Sequence, residues 1–355
     1  MGRHPPEGAA AVTTVQPYDE TQRASWDAFV ASHDEGTPLH LIAWKQVVER
    51  SFGFEPHYLM ALDERKTVGV LPLFMVRNAV LGRALISTPF ATRGGLCATT
   101  TETASLLREH ARQLGDALGA SFIELRGRCA APGSEYQVER SRYVNFGRCL
   151  PASDSDLMRS LPAKTRYMIR RGMSGGLVSS ESPDLLDIVH AIYASSVHHL
   201  GTPVFGRRHF RNVLEAYGTL ARCRVVWSQG RPLAGALSFA WRHTMWPYYG
   251  GGLREARRQA ANNFLYWEVM RGAIENRLSA FDFGRSRVGS GSAAFKSRGG
   301  MEVTALEYEY HMPPGRPLPH YSPANPGFAL ATAAWKKLPL WTANLLGPYV
   351  VRLFP

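Results

Sequence analysis

Runs of alternating apolar and polar residues, punctuated by short polar clusters, divide the chain into recognisable elements. HYLMAL (57–62) alternates with the period of a strand, DERK reads as a turn, and TVGVLPLFMV (67–76) as the returning strand. ALISTPF (84–90) predicts a third strand, followed by Gly94-Gly95. TETASLLREHARQLGDAL then spaces its apolar positions as a helix does, before the strand SFIELRG (121–127). After residue 220 the same order returns. RCRVVWS (222–228) and LAGALSFAW flank the turn QGRP, and TMWPYY (244–249) leads into Gly250-Gly251-Gly252. ANNFLYWEVMRGAIENR predicts a helix and SAFDFGR (279–285) a closing strand. GVLPLF (69–74) aligns with GALSFA (235–240). SFIELRG aligns with SAFDFGR, which sets Glu124 opposite Asp282. A repeat of about 160 residues is a duplicated domain, too long a unit for a solenoid.

Between the copies, SPDLLDIVHAIYASSVHHLG predicts a helix with Ser182 as N-cap, Pro183 in the first turn and Gly201 at the end. Leu186, Val189, Tyr193 and Val197 form its core stripe, and GRRHFRNVLEAYG (206–218) predicts a shorter helix. The expected layout is a disordered N-terminus over 1–14, a first domain over 15–150, a second with the catalytic loop over 151–312, and a Pro-rich basic tail over 313–355. Seven prolines lie between 313 and 339. The tail carries Arg316, Lys336, Lys337 and Arg352 and no acid. Its basic and aromatic residues fit either peripheral contact with the inner membrane or packing on the domains. Pro339 and Pro348 would interrupt a long interfacial helix, which favours packing.

A length of 355 residues suits two domains of ~100–200 residues each. With 45% hydrophobic and 20% charged residues the chain buries real cores. Lys and Arg total 41 against 29 acids, a net charge of +12, which implies an anionic partner. The N-terminal MGRHPPEGAAAVTT has no apolar signal core, so a cytoplasmic location is expected. Apolar runs reach only about half of the ~20 residues that span a bilayer. Cys97, Cys129, Cys149 and Cys223 show no CxxC spacing and read as reduced thiols. His190, His198, His199 and His209 lack metal-site spacing and read as helix-surface residues, so no metal is expected.

The series hairpin, third strand, Gly-containing turn, helix and closing strand resembles the acyl-CoA N-acyltransferase (GNAT) core. In that fold, amides at a helix N-terminus cradle the cofactor pyrophosphate. GGGLREARRQAANN lacks the glycine spacing of the usual Q/R-x-x-G-x-G/A signature, and CATTTETAS carries no cation. Arg254, Arg257 and Arg258 after three glycines remain a loose anion site. The densest chemistry lies in FDFGRSRVGSGSAAFKSRGG (281–300). There a strand is expected to end at Phe283 and Gly284 to turn the chain. Arg285, Arg287, Lys296 and Arg298 then sit on a flexible Gly/Ser loop suited to phosphate groups.

FDFGRS, then SG and FK, resembles the closing motif of the Fem aminoacyl ligases, which are built from tandem GNAT-like domains. HLIAWKQVVERSFG, VGVLPLF, ELRG, TRYMIRRG, NNFLYWEVMRGA and the tail resemble one branch, the FemAB-like proteins of exosortase/PEP-CTERM exopolysaccharide clusters. The resemblance covers roughly residues 38–352. It implies an α/β (α+β) fold of tandem GNAT-like domains, each a mixed, largely antiparallel sheet flanked by helices. It implies transfer of an acyl or aminoacyl group from aminoacyl-tRNA or acyl-CoA to an amine on a phosphorylated or lipid-linked saccharide. Carried over, Lys296 stabilises the developing oxyanion or the donor's terminal phosphate, and Phe295 positions the donor. Arg166 and Arg170 hold the acceptor's phosphates, and Asp282 is the candidate base or base-orienter. Arg285, Tyr249, Gly251, Trp267 and Trp44 are further candidate substrate contacts. A nonenzymatic scaffold that kept the fold is the reading from another class.

Overall fold

A computed structural model describes residues 13–127, 135–313, 315–318 and 326–355. The expected disordered N-terminus lies almost wholly in 1–12, outside the described residues, as do Cys129 and part of the Pro-rich start of the tail. Thr14 already opens a strand, Thr14–Pro17.

Both copies of the repeat form the expected series. In the first, Leu59–Asp63 and Lys66–Leu71 make the hairpin and Phe74–Asn78 and Gly82–Ile86 the next antiparallel pair. Helix Thr101–Ala117 and strand Phe122–Arg126 follow. The single return strand expected over 67–76 is broken in two. Pro72 has no N–H to give a ladder, and there the chain passes from a four-stranded sheet to a six-stranded one. In the second copy, Ala221–Ser228, Arg231–Trp241, Thr244–Gly252 and Ala280–Arg287 share one seven-stranded sheet, with helix Ala261–Glu275 between the last two.

In both copies the third and closing strands run parallel. Ala84 pairs with Phe122 and Thr244 with Ala280, a register that brings Glu124 and Asp282 to equivalent positions. Bonding stops after Ile86–Glu124 in one copy and Met245–Phe281 in the other, and beyond these pairs the strands part.

Each unit completes its sheet with a strand from the other. Tyr308–His311 adds to the first unit beside Phe122–Arg126, and Tyr143–Cys149 adds to the second beside Ala280–Arg287. Polar contacts lock both exchanged strands. Arg108 donates from Nε and Nη2 to buried Glu309 at 2.8 and 2.9 Å. Asn145 Nδ2 donates to both oxygens of Asp282 at 3.1 Å. Removing one member of the buried Arg108–Glu309 pair costs about 3–5 kcal/mol, because it strands the other charge.

The largest apolar core crosses the boundary between the units. Phe90 meets Phe205 with ring centres 5.3 Å apart, and Trp44 meets Tyr248 at 5.7 Å. Ser182 caps a short turn ahead of helix Leu186–Leu200, which Gly201 ends at φ +83°, as the sequence predicts. His190 and His209 are buried rather than on a helix surface, because helix Leu186–Leu200 lies between its own sheet and the tail helices, and helix Arg207–Tyr217 packs on helix Ile42–Phe52 of the first unit. His209 lies 2.8 Å from the Tyr249 hydroxyl and 3.0 Å from that of Ser51, and burial lowers its pKa to about 3.

The tail forms helices Pro326–Lys337 and Leu340–Val351, which pack on Leu186–Leu200. Ala343, Gly347 and Val351 recur every fourth residue and face inward. Pro339 separates the two helices as an N-cap, and Pro348 lies over Gly206. No helix among the described residues is long and apolar enough to cross a membrane.

Candidate active site

A cavity of about 540 Å³ lies between the units. Glu124 and Arg126 reach it from the first closing strand, Arg285 from the second, and Tyr143 and Tyr308 from the exchanged strands. Trp335, Val350 and Phe354 of the tail wall one side. The first unit's parallel strands part just beyond Ile86–Glu124, and the cavity opens beside that point.

Of the three arginines that line the cavity, Arg126, Arg142 and Arg285, the first and last differ in one respect that decides their chemistry. Arg126 is buried and compensated: Nε donates to Glu124 Oε1 at 2.7 Å. Its Nη1 reaches the carbonyls of Thr88 and Ala91 at 3.4 and 3.3 Å, and its Nη2 that of Pro355 at 2.7 Å. Arg285 has no carboxylate beside it among the described residues. Its Nη1 donates to the Tyr308 hydroxyl at 2.6 Å, and its guanidinium lies 4.8 Å from the Tyr143 ring centre. The Tyr308 hydroxyl in turn donates to Thr92 O at 3.1 Å. A half-buried guanidinium held by two neutral rings, with no carboxylate against it among the described residues, is chemically suited to an anion.

The FDFGRSRVGSGSAAFKSRGG segment is ordered differently from the expected loop. The strand runs on to Arg287, and helix Gly291–Arg298 follows, capped by the Ser290 hydroxyl. Gly284, at φ +71°, does not turn the chain. It follows a bulge in which Phe283 has no partner across the ladder, and its N–H donates to Asp282 Oδ1 at 2.8 Å. Lys296 points back from this helix onto the bulge. Its Nζ donates to the carbonyls of Phe283, Gly284 and Arg285 at 2.7, 3.0 and 3.0 Å. Those three bonds use all three ammonium protons. Burial lowers its pKa to about 8, with the Asp282 charge opposing. Lys296 thereby fixes the backbone that aims Arg285 at the cavity.

Asp282 faces another place, a cleft of about 300 Å³. Its Oδ2 accepts from Arg93 Nη2 at 2.5 Å. Phe295 packs in the second unit's core, 5.9 Å from Tyr266. Trp267 is buried in that core, and Trp44 and Tyr249 in the core between the units. Gly251 is required by packing: a Cβ there would stand 2.5 Å from that of Ser196. TRYMIRRG lies in helix Ala163–Ser174, where Arg166 Nη1 donates to Leu161 O at 2.6 Å and Arg170 is exposed. Of the sequence candidates, the cavity gathers Arg285 alone. Glu124, Arg126, Tyr143 and Tyr308 were not among them. A signal for two of these was present: each closing strand carries an acid shortly before an arginine, ELR at 124–126 and DFGR at 282–285.

The Gly-rich turns also differ. Thr100 caps the first unit's helix by accepting from Thr103 N–H. Helix Ala261–Glu275 has no side-chain cap, and Ala260 before it is left-handed at φ +58°.

Residues 159–297 match the family model described as acetyltransferase (GNAT) domain. No curated protein matches the sequence. Among solved structures, FemX is similar at TM-score 0.66 and 16% identity, covering 84% of this chain and 97% of that one. A tandem GNAT protein from the clavulanic acid biosynthesis pathway is similar at TM-score 0.54 and 11% identity, over 84% of this chain and 98% of that one. L-PGS from Bacillus licheniformis is similar at TM-score 0.51 and 10% identity, over 86% and 98%. The chain thus has the fold of a tandem GNAT protein, and its second unit carries the match to the GNAT acetyltransferase domain.

Proposed function

We propose that the protein is an acyl or aminoacyl transferase that works in the cavity between its units and acts on an amine of a cell-envelope or exopolysaccharide precursor. The observation that carries this reading is Arg285, a cation in the cavity with no carboxylate partner among the described residues. It holds a phosphate of the acceptor or donor. The amine nitrogen attacks the donor's acyl carbon, the C–O or C–S bond to the leaving group breaks, and the amine's proton passes to Glu124. Glu124 lines the cavity and gives only one oxygen, Oε1, to Arg126. Such a reaction needs mainly orientation and a proton acceptor, since the donor is already activated. Lys296 is a positioning residue here, because its protons are committed to the strand carbonyls.

Aminoacyl-tRNA is the favoured donor. The likeness to FemX and the net charge of +12 support it. The second reading uses acyl-CoA, as GNAT domains do. The uncapped helix after Gly250–Gly252 favours it, because free amides at a helix N-terminus suit a pyrophosphate. The two donors separate by equilibrium binding across a salt series. Charged tRNA should bind with steep salt dependence; tight acyl-CoA binding with indifference to tRNA would overturn the tRNA reading. Mass spectrometry of the lipid-linked or glycan acceptor, with and without the protein, identifies the transferred group. No mass increment with either donor would leave the scaffold reading.

A further inference from the structure

The outer face of the tail helices is unlike the rest of the surface. Helix Leu340–Val351 turns Ala343, Gly347 and Val351 inward and Trp341, Leu345 and Tyr349 outward at the same fourth-residue spacing. Those three are 69, 60 and 68% exposed. Leu330 on the preceding helix is 76% exposed, and Leu200, 60% exposed, adjoins where Gly201 touches Thr332 and Lys336. Fourteen large apolar residues are exposed among those described, and five of them belong to this one twelve-residue helix. The tail's own charges have one sign. Lys336, Lys337 and Arg352 are exposed, and no acid occurs after Glu309.

We propose that this face docks on an anionic lipid bilayer, lying in the headgroup plane. An apolar stripe with Trp and Tyr, on a tail whose own charges are all cationic, is the chemistry that an anionic bilayer surface answers on both counts. A protein partner of ordinary surface would meet the cations with paired acids, and nothing on this face carries the complementary negative charge. The position of the face adds a consequence. The inward sides of the same helices wall the cavity through Trp335, Val350 and Phe354, so docking places the cavity beside the bilayer. Delivery of a lipid-linked acceptor to Arg285 from the membrane rests on the transferase reading; the docking itself does not.

Flotation of the full chain with vesicles tests it separately from any activity. The chain should float with vesicles containing phosphatidylglycerol and stay behind with phosphatidylcholine alone. Lys336→Gln with Lys337→Gln should weaken binding about fivefold per charge removed. The triple variant Trp341→Ser, Leu345→Ser, Tyr349→Ser should reduce it about tenfold or more with an unchanged unfolding midpoint, because all three side chains are exposed. If the triple variant fails to fold, the charge variant alone decides. Absence of flotation by wild type, or equal flotation on both vesicle types, overturns the proposal. So does a lipid-free dimer that the triple variant converts to monomer, which would assign the face to a second copy of this chain.

Discussion

The two units share one plan and differ in where they leave charge and strain unresolved. In the first, the closing-strand acid and arginine satisfy each other, Glu124 with Arg126, and Thr100 caps the helix. In the second, Asp282 is held by Arg93 from the other unit, Arg285 is left without an acid, and the helix starts uncapped behind a left-handed alanine. In the first copy Arg126 thus holds Glu124, the proposed proton acceptor, in place. Among the described residues the second leaves Arg285 without a carboxylate and its helix without a side-chain cap, features that suit a binding site.

The comparison breaks most visibly at the arginines. On the proposed reading, Arg285→Gln should lower kcat/KM for transfer about 100-fold with an unchanged melting temperature, because it removes the charge proposed to meet the substrate's phosphate. Arg126→Gln should instead cost ~3 kcal/mol of stability by stranding buried Glu124, read as a shifted urea midpoint. If Arg285 proved the structural residue and Arg126 the dispensable one, the roles assigned to the units would be reversed.

Lys296 sharpens the contrast next. Lys296→Met should destabilise the fold by ~2 kcal/mol at neutral pH, since it leaves three strand carbonyls without donors. The pH dependence has a definite sign. The lysine titrates near 8 in the folded protein, below its ordinary value of 10.5. Between those values the unfolded chain holds more protons, so stability rises with pH across that window. The stability gap between wild type and Lys296→Met should therefore widen from pH 7.5 to 10, by an amount on the order of a few kcal/mol. A constant gap would show that the ammonium is not desolvated.

The smallest effects lie at the helix starts. Thr100→Ala should cost ~1 kcal/mol through loss of a cap. Ala260→Gly should stabilise by roughly 0.5–1 kcal/mol by relieving the left-handed alanine, and should lower donor affinity if that turn is held rigid for binding. Thermal unfolding with donor titration reads both.

The repeat was legible because strand and helix periods and the glycines between them are local properties. The end of helix Leu186–Leu200 was legible too, since Ser182, Pro183 and Gly201 act on their own neighbours. The role of Lys296 was not. Its place in the sequence marks it, but the carbonyls that take its protons are presented by a bulge at Phe283 that only the completed sheet creates. Glu124 was aligned with Asp282 from sequence, yet which of the two faces the cavity depends on how the strands part. The aromatic candidates Trp44, Trp267 and Tyr249 lie in cores, where large rings bury the most surface.

The reciprocal exchange of strands has a kinetic side. Phe122–Arg126 finds its antiparallel neighbour, Tyr308–His311, some 185 residues later in the chain. Until that segment leaves the ribosome, the first sheet presents a bare edge of unpaired backbone groups. Folding of the first half therefore waits on nearly the whole of synthesis, and contacts of such high sequence separation close slowly. A truncation anywhere before residue 308 removes a strand from the half it leaves intact. Two fragments cut between the units, by contrast, each hold the strand the other lacks, and co-expression should reunite what separate expression would send into aggregates.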